Sequence, residues 1–307
     1  MTTLRLSNNN THIRDKNLQF FEDGHKYVIL TDSASKYTSV TTWNHSHFEK
    51  FDADKIIKNM MKGKNWKEGH KYWGLTTDQI QSLWSSNASN ASGAGTNMHY
   101  EIECFMNNET LPTGYTHKDL YDAYIKNVPD TETSVEWKYF IQFVKDFPHL
   151  KPYRTEWTVY NEDIKLAGSI DMVYENPDGT LSIYDWKRVK EINRINTWNK
   201  FAITQSICQM PDSNFWHYSL QLNTYKAILE AKYDKKVTDL YLVRLHPDAE
   251  EANYELIKVP DLSADIKVLF TPLKILNLSD SHSIPFYENE LSFIPKNTPV
   301  RIIHNII

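Results

Sequence analysis

The sequence predicts an α/β fold in which helices flank a mixed central sheet that contains an antiparallel three-strand meander. The meander is indicated by three successive β-rich segments, at 156–160, 166–174 and 181–187. Two turn-forming runs separate these segments, Asn161-Glu-Asp and Asn176-Pro-Asp-Gly. After the meander, apolar residues at helical spacing predict a helix over 216–233, and a β-rich segment predicts a strand over 237–245.

The remaining elements are predicted from shorter patterns. We expect a loose terminus at 1–15, a hairpin at 18–30, an extended segment at 37–43, and helices at 52–62, 79–84, 96–107 and 136–147. Between two of these helices, the small residues of 85–95 predict a loop or a close-packed turn. Downstream, we expect a lid or insertion at 190–214, a strand at 254–259 and a helix at 264–276. The lysines of 52–67 fit either a solvated helix face or a surface that contacts phosphate.

Composition limits the class of protein. A chain of 307 residues with 40% hydrophobic residues has ample material for a core, so a disordered chain is excluded. The net charge of -5 does not indicate a nucleic-acid binder, so any basic surface must be local. The two cysteines, Cys104 and Cys208, exclude a disulfide framework and a four-cysteine zinc or iron–sulfur cluster.

The same features predict where the protein works. Few cysteines and a polar start without an apolar h-region favour a reducing, intracellular compartment rather than secretion. No run of apolar residues approaches the length of a membrane span, so we expect no membrane partner.

A pair of acidic residues and a lysine stand at the ends of neighbouring predicted strands. Side chains alternate along a strand, so Asp185 and Lys187 should share one face with Ile183, while Trp186 faces the other way. The preceding strand carries Asp171, and a meander would bring this carboxylate beside Asp185.

Two adjacent carboxylates repel each other, and a hard divalent cation such as Mg²⁺ or Mn²⁺ relieves that repulsion. Such an ion activates water and neutralises charge on a phosphate, and a nearby lysine can position either group. Asp-x-Lys alone occurs by chance in most proteins, so the prediction depends on the motifs around it.

Those motifs resemble one nuclease superfamily. Gly168-Ser-Ile-Asp171 followed by Ile183-Tyr-Asp185-Trp-Lys187 is similar to the core motif of PD-(D/E)XK nucleases, with Asp where many members have Glu. Gly95-Thr-Asn-Met-His99 upstream and Gln221-Leu-Asn-Thr-Tyr225 downstream resemble signatures of the RecB-like exonuclease branch. That branch includes a mitochondrial genome maintenance exonuclease, and lambda exonuclease is a more distant relative. The matched segments span about 95–225 in the family's order.

The resemblance implies a restriction-endonuclease-like core over 95–278, preceded at 1–94 by a hairpin and helices packed on the core. It leaves 279–307 as a C-terminal extension without an assigned role. It also implies a metal site for Mg²⁺ or Mn²⁺, with no iron–sulfur cluster. The implied ligands are His99, Glu156, Asp171, Asp185 and the backbone carbonyl of Trp186.

The same resemblance implies roles for other residues. Lys187 would position water or stabilise the transition state, and Gln221 and Tyr225 would hold the lysine or a phosphate. Tyr225 as a core aromatic is the alternative, and Glu103, one turn after His99, is either a partner of the ring or simply solvated. Phosphate contacts are expected from Arg188, Lys190, Arg194 and Lys200. Stacking on bases or burial is expected for Trp198, Phe201, Phe215 and Trp216, with burial favoured for the last two.

The expected activity is therefore metal-dependent hydrolysis of DNA, more consistent with an exonuclease than with a sequence-specific endonuclease. No phosphate-binding Gly-x-x-x-x-Gly-Lys loop is present, so the protein acts either alone or with a helicase or recombination partner encoded elsewhere. The alternative is a catalytically silent nuclease fold that binds nucleic acid or serves assembly. A zinc protease or an esterase is disfavoured, because the chain lacks His-Glu-x-x-His and Gly-x-Ser-x-Gly.

Overall fold

A computed structural model describes residues 4–127 and 133–271 of the chain. The strands are β1 (Leu18–Phe21), β2 (Lys26–Ile29), β3 (Thr38–Ser39), β4 (Lys151–Asn161), β5 (Leu166–Glu175), β6 (Leu181–Lys187), β7 (Val237–Arg244) and β8 (Glu255–Lys258). The helices are α1 (Arg5–Asn9), α2 (Val40–His45), α3 (Ala53–Met61), α4 (Thr77–Met106), α5 (His117–Lys126), α6 (Val135–Asp146), α7 (Asn214–Lys232) and α8 (Ser263–Phe270). The predicted α/β class with a mixed sheet is confirmed.

The central sheet has six strands, in the order β4-β5-β6-β7-β8, with the short β3 beside β5. The pairs β4–β5, β5–β6 and β7–β8 are antiparallel, whereas β6–β7 and β3–β5 are parallel. Helix α7 connects β6 to β7, as a parallel connection requires. The predicted meander is therefore confirmed, and β7 extends it into a mixed sheet.

The two meander turns form where the turn-forming runs predicted them. Asn161 caps the first turn, since its side-chain oxygen accepts the backbone N–H of Asp163 at 3.0 Å. In the second turn, Gly179 adopts a φ of 81°, which favours glycine. The backbone N–H of Gly179 donates to the carbonyl of Asn176 at 2.9 Å, closing that turn.

Helices cover both faces of the sheet. On one face α7 packs with α2 over a core that includes Ile183, Leu222 and Leu242. On the other face α4, α5 and α6 bury a second core, where Trp186 meets Phe140 and Phe143 edge-on with ring centroids 5.6 Å apart. The strands between these layers are buried on both sides, which explains why their sequences are nearly continuous apolar runs.

Two N-terminal predictions were wrong. Residues 1–15 were expected to be loose, but α1 buries Leu6, and Asp15 forms an ion pair with Arg154 of β4 at 2.8 Å. These partners lie far along the chain, so local sequence does not reveal them. The segment 37–43 was expected to be extended, but only β3 is, because Ser39 caps α2 by accepting the N–H of Thr42 at 3.0 Å.

Helix α4 is a further correction. Residues 85–95 were expected to form a loop or a close-packed turn, but α4 continues through them and through the expected domain boundary between 94 and 95. The helix begins at Thr77, two residues before the expected start at 79, and a capping box between Thr76 and Gln79 precedes it. Helix α5 was not predicted at all.

The other helical and hairpin predictions are confirmed within a few residues, by the β1–β2 hairpin and by α3, α6 and α7. Helix α8 covers the first part of the predicted 264–276 helix, and the rest of that helix and the 279–307 extension lie outside the described residues. None of the described helices is both long and apolar enough to cross a membrane. Cys104 and Cys208 are free and exposed.

Candidate metal centre

The site lies where β5 and β6 separate. The two strands pair from Glu175–Leu181 to Met172–Tyr184, and the next residues are Asp171 and Asp185. Instead of continuing the ladder, the backbone N–H of Trp186 donates to Oδ2 of Asp171 at 3.0 Å. A carboxylate therefore takes the place of a backbone carbonyl, and the strands diverge around it.

Strand β3 enlarges this opening. β4 occupies one edge of β5 along its whole length, so β3, which pairs with Leu166 and Ala167, must lie on the same edge as β6. Among the strands that the structure describes, none pairs with the stretch of β5 from Gly168 to Asp171 on that edge. This gap gives the acidic site its access.

Asp185 and Lys187 follow the predicted alternation. Ile183 belongs to the core under α7, whereas Trp186 belongs to the core under α4 and α6. Nζ of Lys187 lies 2.7 Å from Oδ2 of Asp185, in an ion pair whose angles depart from good hydrogen-bond geometry. Asp185 is 3% exposed, so the lysine provides its nearby countercharge.

Helix α4 delivers His99 to the same opening. Its Nε2 lies 3.0 Å from the carbonyl oxygen of Trp186, and its Nδ1 lies 3.6 Å from both Oε1 of Glu156 and Oδ2 of Asp171. A carbonyl accepts only from a protonated nitrogen, so Nε2 carries the hydrogen. Nδ1 is then the nitrogen that faces the carboxylates, and it is the one available to a cation.

Glu156 lies in the middle of β4, not at its start as predicted, and it stands opposite Asp171. Its φ of 42° is unusual for a residue with a side chain inside a strand. The pleat of β5 is irregular there too, because Ile170 and Met172 should share a face yet pack into opposite cores. Backbone strain of this kind, about 1–3 kcal/mol, concentrates at functional sites.

Three side chains form a set that fits a metal ion. Single ligand atoms of His99, Glu156 and Asp171 all lie within 4.8 Å of one another. Donors that share an octahedral ion at about 2.1 Å stand at most about 4.2 Å apart, so a small inward movement suffices. Asp185 was expected to belong to this set, but it lies outside it and pairs with Lys187 instead.

The donor set also favours particular ions. The site offers two carboxylates and one imidazole. Mn²⁺ fits this set better than Mg²⁺, because Mn²⁺ accepts mixed oxygen and nitrogen ligands whereas Mg²⁺ prefers oxygen alone. The carbonyl of Trp186, predicted as a ligand, is turned toward the histidine. It therefore orients the ring in this structure, a role that the sequence pattern also allowed for Glu103.

Protonation states reflect the crowded acidic groups. Burial lowers the pKa of His99, but Asp171, Glu156 and Asp185 outweigh burial and raise that pKa to about 9. A protonated His99 thus supplies a positive charge in the place where a cation would neutralise the carboxylates. Burial raises the pKa of Glu103 to about 7, and the nearby Glu156 adds to that shift.

Lys187 is a charged lysine rather than a neutral base. Burial lowers its pKa, but the carboxylates of Asp185 and Asp171 outweigh burial and raise it. Its Nζ also lies 4.5 Å from the centroid of the Tyr218 ring, in cation–π geometry. Asp185 and Tyr218 together fix the ammonium group at the mouth of the gap.

Tyr225 is a core aromatic, the alternative left open by its pattern. It is 3% exposed and packs over Gly168, where an added Cβ would lie 2.8 Å from the Tyr225 hydroxyl and 3.2 Å from Cβ of Val40. Gln221 hydrogen-bonds Tyr225, and its amide donates to the hydroxyl of Thr41 at 3.3 Å. Burial raises the pKa of Tyr225, and the charges of Asp171 and Asp185 add to that shift, so the hydroxyl lies close to the acidic site.

The four residues expected to contact phosphate differ in their surroundings. Arg188 donates to Glu136 at 2.6 Å and Lys200 pairs with Glu49 at 2.7 Å, so both already have partners. Lys190 is exposed, and the exposed Arg194 stacks on Phe215 at 3.9 Å from the ring centroid.

The nearby aromatic residues also divide into two groups. Phe215 is fully buried, as favoured, and Trp216 is partly buried. Trp198 is 83% exposed and Phe201 is 41% exposed, so both are open to a ligand.

Two residues of the site were not predicted. Ser169 donates to Oε2 of Glu156 at 3.0 Å, and it stands inside the Gly168-Ser-Ile-Asp171 motif. Tyr218 precedes Tyr225 by seven residues, so the two share a helix face, and that spacing was a usable signal.

No protein-family model matches this chain, and no curated protein is significantly similar to it in sequence. The case for a function therefore depends on the geometry of these side chains.

Proposed function

We propose that this protein is a metal-dependent nuclease that hydrolyses phosphodiester bonds in DNA, with exonuclease action as the form that the motifs favour. The observation that carries the proposal is the set formed by His99, Glu156 and Asp171, whose ligand atoms lie within 4.8 Å of one another beside a charged lysine. A divalent ion bound there would activate water and neutralise charge on the phosphate.

The protein groups divide the work by charge and position. His99, Glu156 and Asp171 hold the ion, and the Trp186 carbonyl keeps Nδ1 of the histidine directed at it. Lys187 presents a fixed positive charge to a phosphate oxygen as negative charge builds in the transition state. Asp185 and Tyr218 keep that ammonium in place, so little reorganisation is needed during the reaction.

The test is cleavage of DNA labelled at either end, single- and double-stranded, with Mg²⁺, Mn²⁺ or excess chelator. We expect cleavage with at least one metal and none with chelator. Asp171→Asn and Lys187→Met should each reduce the rate about a hundredfold or more, because each removes a group that acts on the phosphate or its metal.

Matched controls are available in the same sheet. Asp178→Asn changes an exposed carboxylate in the β5–β6 turn, and Lys236→Met changes an exposed lysine just before β7, at the other end of the sheet. Both controls should retain full activity. If wild-type protein cleaves nothing with either metal yet binds DNA, the chain is instead a catalytically silent binding protein.

Metal binding has its own readout. Ions that bind only the folded state raise its melting temperature. Mn²⁺ should raise the melting temperature of the wild type and of Lys187→Met, but not of Asp171→Asn. Equal shifts in all three proteins would contradict the assigned ligands.

A further inference from the structure

A helical arm, defined as residues 50–84, lies at the far end of α4 from the metal centre. It consists of α3, the turns after it and the first residues of α4. Ile57 and Ile80 are fully buried and form its small core, and Thr77 donates to the sulfur of Met61 at 3.8 Å. Residues 85–93 of α4, which connect the arm to the site, are exposed at every position.

The arm differs from the rest of the chain in charge. It contains seven lysines against four acidic residues, a net charge of +3 in a chain whose net charge is -5. Two lysines pair within it or beside it, Lys58 with Asp54 at 2.5 Å and Lys55 with Glu49 at 3.4 Å. Among the residues that the structure describes, no carboxylate pairs with the lysines of the turns, Lys62, Lys64, Lys67 and Lys71.

Aromatic rings alternate with these lysines. Ring centroids lie 5.8 Å apart for Trp66 and Trp73, and 6.0 Å apart for Tyr72 and Trp84. Phe51 extends the row, 6.1 Å from Trp84. Phe51 is 73% exposed and Trp73 is 48% exposed, although burial of such large apolar side chains is favourable. A surface of exposed aromatic rings and lysines without carboxylate partners is complementary to a ligand that has flat apolar faces and negative charge.

We propose that the arm binds single-stranded DNA, with the lysines on phosphates and the exposed aromatic rings stacked on bases. Unpaired bases supply the flat faces that a duplex keeps inside its stack. Arg188 and Lys200 already have carboxylate partners, Glu136 and Glu49, and would contribute less. The arm would thus supply the local basic surface that the acidic chain otherwise lacks.

The geometry links the arm to the site. Trp84 and His99 stand on one continuous helix, separated by about 22 Å along its axis at about 1.5 Å per residue. About six or seven stacked nucleotides span that distance at about 3.4 Å each. Binding of single-stranded DNA by the arm does not depend on the proposed nuclease function. That the bound strand runs from the arm to the metal centre as its substrate does rest on that function.

The test measures binding without cleavage. Fluorescence anisotropy of labelled 20-nucleotide oligo-deoxythymidine is followed in excess chelator, for wild type, Lys64→Glu/Lys67→Glu and Trp73→Ala. The lysine pair should lower the slope of log K against log salt by about 1.4, since each phosphate contact contributes about 0.7 on single strands. Trp73→Ala should weaken binding about tenfold, and Trp73→Phe should restore most of it.

Control variants and a second ligand sharpen the result. Lys126→Glu/Lys138→Glu removes two exposed lysines of α5 and α6, which pack on the C-terminal part of α4, and should leave binding unchanged. Melting curves verify that each variant is folded. Equal DNA binding by the wild type and both arm variants would overturn the proposal. The proposal would also be overturned if the arm variants no longer bound anionic phosphatidylglycerol vesicles but still bound DNA as the wild type does.

Activity separates the two proposals. Hydrolysis of bis(p-nitrophenyl) phosphate, which is too small to reach the arm, should be the same in wild type and arm variants. Cleavage of the 20-nucleotide strand should fall with its binding. A wild type that binds the strand through the arm but hydrolyses neither substrate would end the nuclease proposal alone.

Discussion

The two halves of α4 belong to one continuous helix, yet different forces hold them in place. In the C-terminal half, Met98, Ile102 and Met106 recur every four residues and are buried against α5 and α6. In the middle, residues 85–93 are all exposed and consist of serine, asparagine, alanine and one glycine. Relative to alanine, such a composition costs roughly 4 kcal/mol of helix stability. The middle is helical because its two ends are anchored.

Helix α4 therefore has a packed C-terminal part and an exposed connector, residues 85–93, which differ in what they do. The packed part carries His99 and holds it in position against the sheet, whereas the exposed connector only joins the site to the arm. Substitutions should therefore affect folding on one side and leave it nearly unchanged on the other.

The largest expected effect is in the packed half. Ile102→Ala should lower the free energy of unfolding by about 3 kcal/mol, because it leaves a cavity in a core residue that is 1% exposed. Leu83→Ala, on the arm side of the same helix, removes a side chain that is 45% exposed and should cost less than about 1 kcal/mol. Urea unfolding of both variants measures the difference, and equal losses would contradict the division.

A smaller effect should appear with pH. Burial lowers the pKa of His117 from 6.5 to about 3, although a hydrogen bond from the imidazole to the backbone carbonyl of Phe147 opposes that shift. In the unfolded chain His117 is therefore protonated below about pH 6.5, whereas in the folded protein it stays neutral down to about pH 3. The stability this neutral histidine contributes is complete above pH 6.5 and is lost as the pH falls toward 3.

The expected slope is about 1.4 kcal/mol per pH unit, or about 2 kcal/mol between pH 6.5 and 5. His117→Gln should remove that slope, since glutamine does not titrate, while His25→Gln in the exposed β1–β2 hairpin should keep it. Urea titrations at several pH values compare the three proteins. An unchanged slope in His117→Gln would show that other groups carry the acid sensitivity.

The smallest effect is expected in the exposed connector and has the opposite sign. Gly93 has an ordinary helical backbone, and an added Cβ would meet no heavy atom within 4 Å. Gly93→Ala should therefore stabilise α4 by up to about 1 kcal/mol. Hydrogen exchange of the 85–93 amides should slow by up to about fivefold, and faster exchange would mean that the glycine serves a conformation other than the helix.

Much of the fold was predictable because its signals are local. The meander follows from two turns with residues suited to them, and α7 follows from apolar spacing. Residues 85–95 were expected to be a loop or a close-packed turn because small residues give no helical face. The packed residues that keep this segment helical lie outside it. Helix α1 was missed because Leu6 and Asp15 find their partners more than 100 residues away.

The candidate site was predictable in its members but not in their pairing. The family resemblance implied His99, Glu156, Asp171 and Asp185 as ligands, and three of these four lie together in the structure. It did not reveal that Asp185 would pair with Lys187 and leave the third ligand position to Glu156. That choice depends on the irregular strand opposite Asp171, where Glu156 adopts a φ of 42°. Strand periodicity does not encode such a departure.

The exposed connector also controls where the arm points. Each residue added to a helix lengthens it by about 1.5 Å and rotates its two ends by about 100° relative to each other. One inserted alanine in 85–93 would thus swing the aromatic row to another side of the molecule, with no core residue disturbed. Seven would return it almost to its original direction, about 10 Å farther from the metal centre. Insertions in this segment can therefore change how far the arm reaches and where it points, while the residues of the candidate metal centre stay where they are.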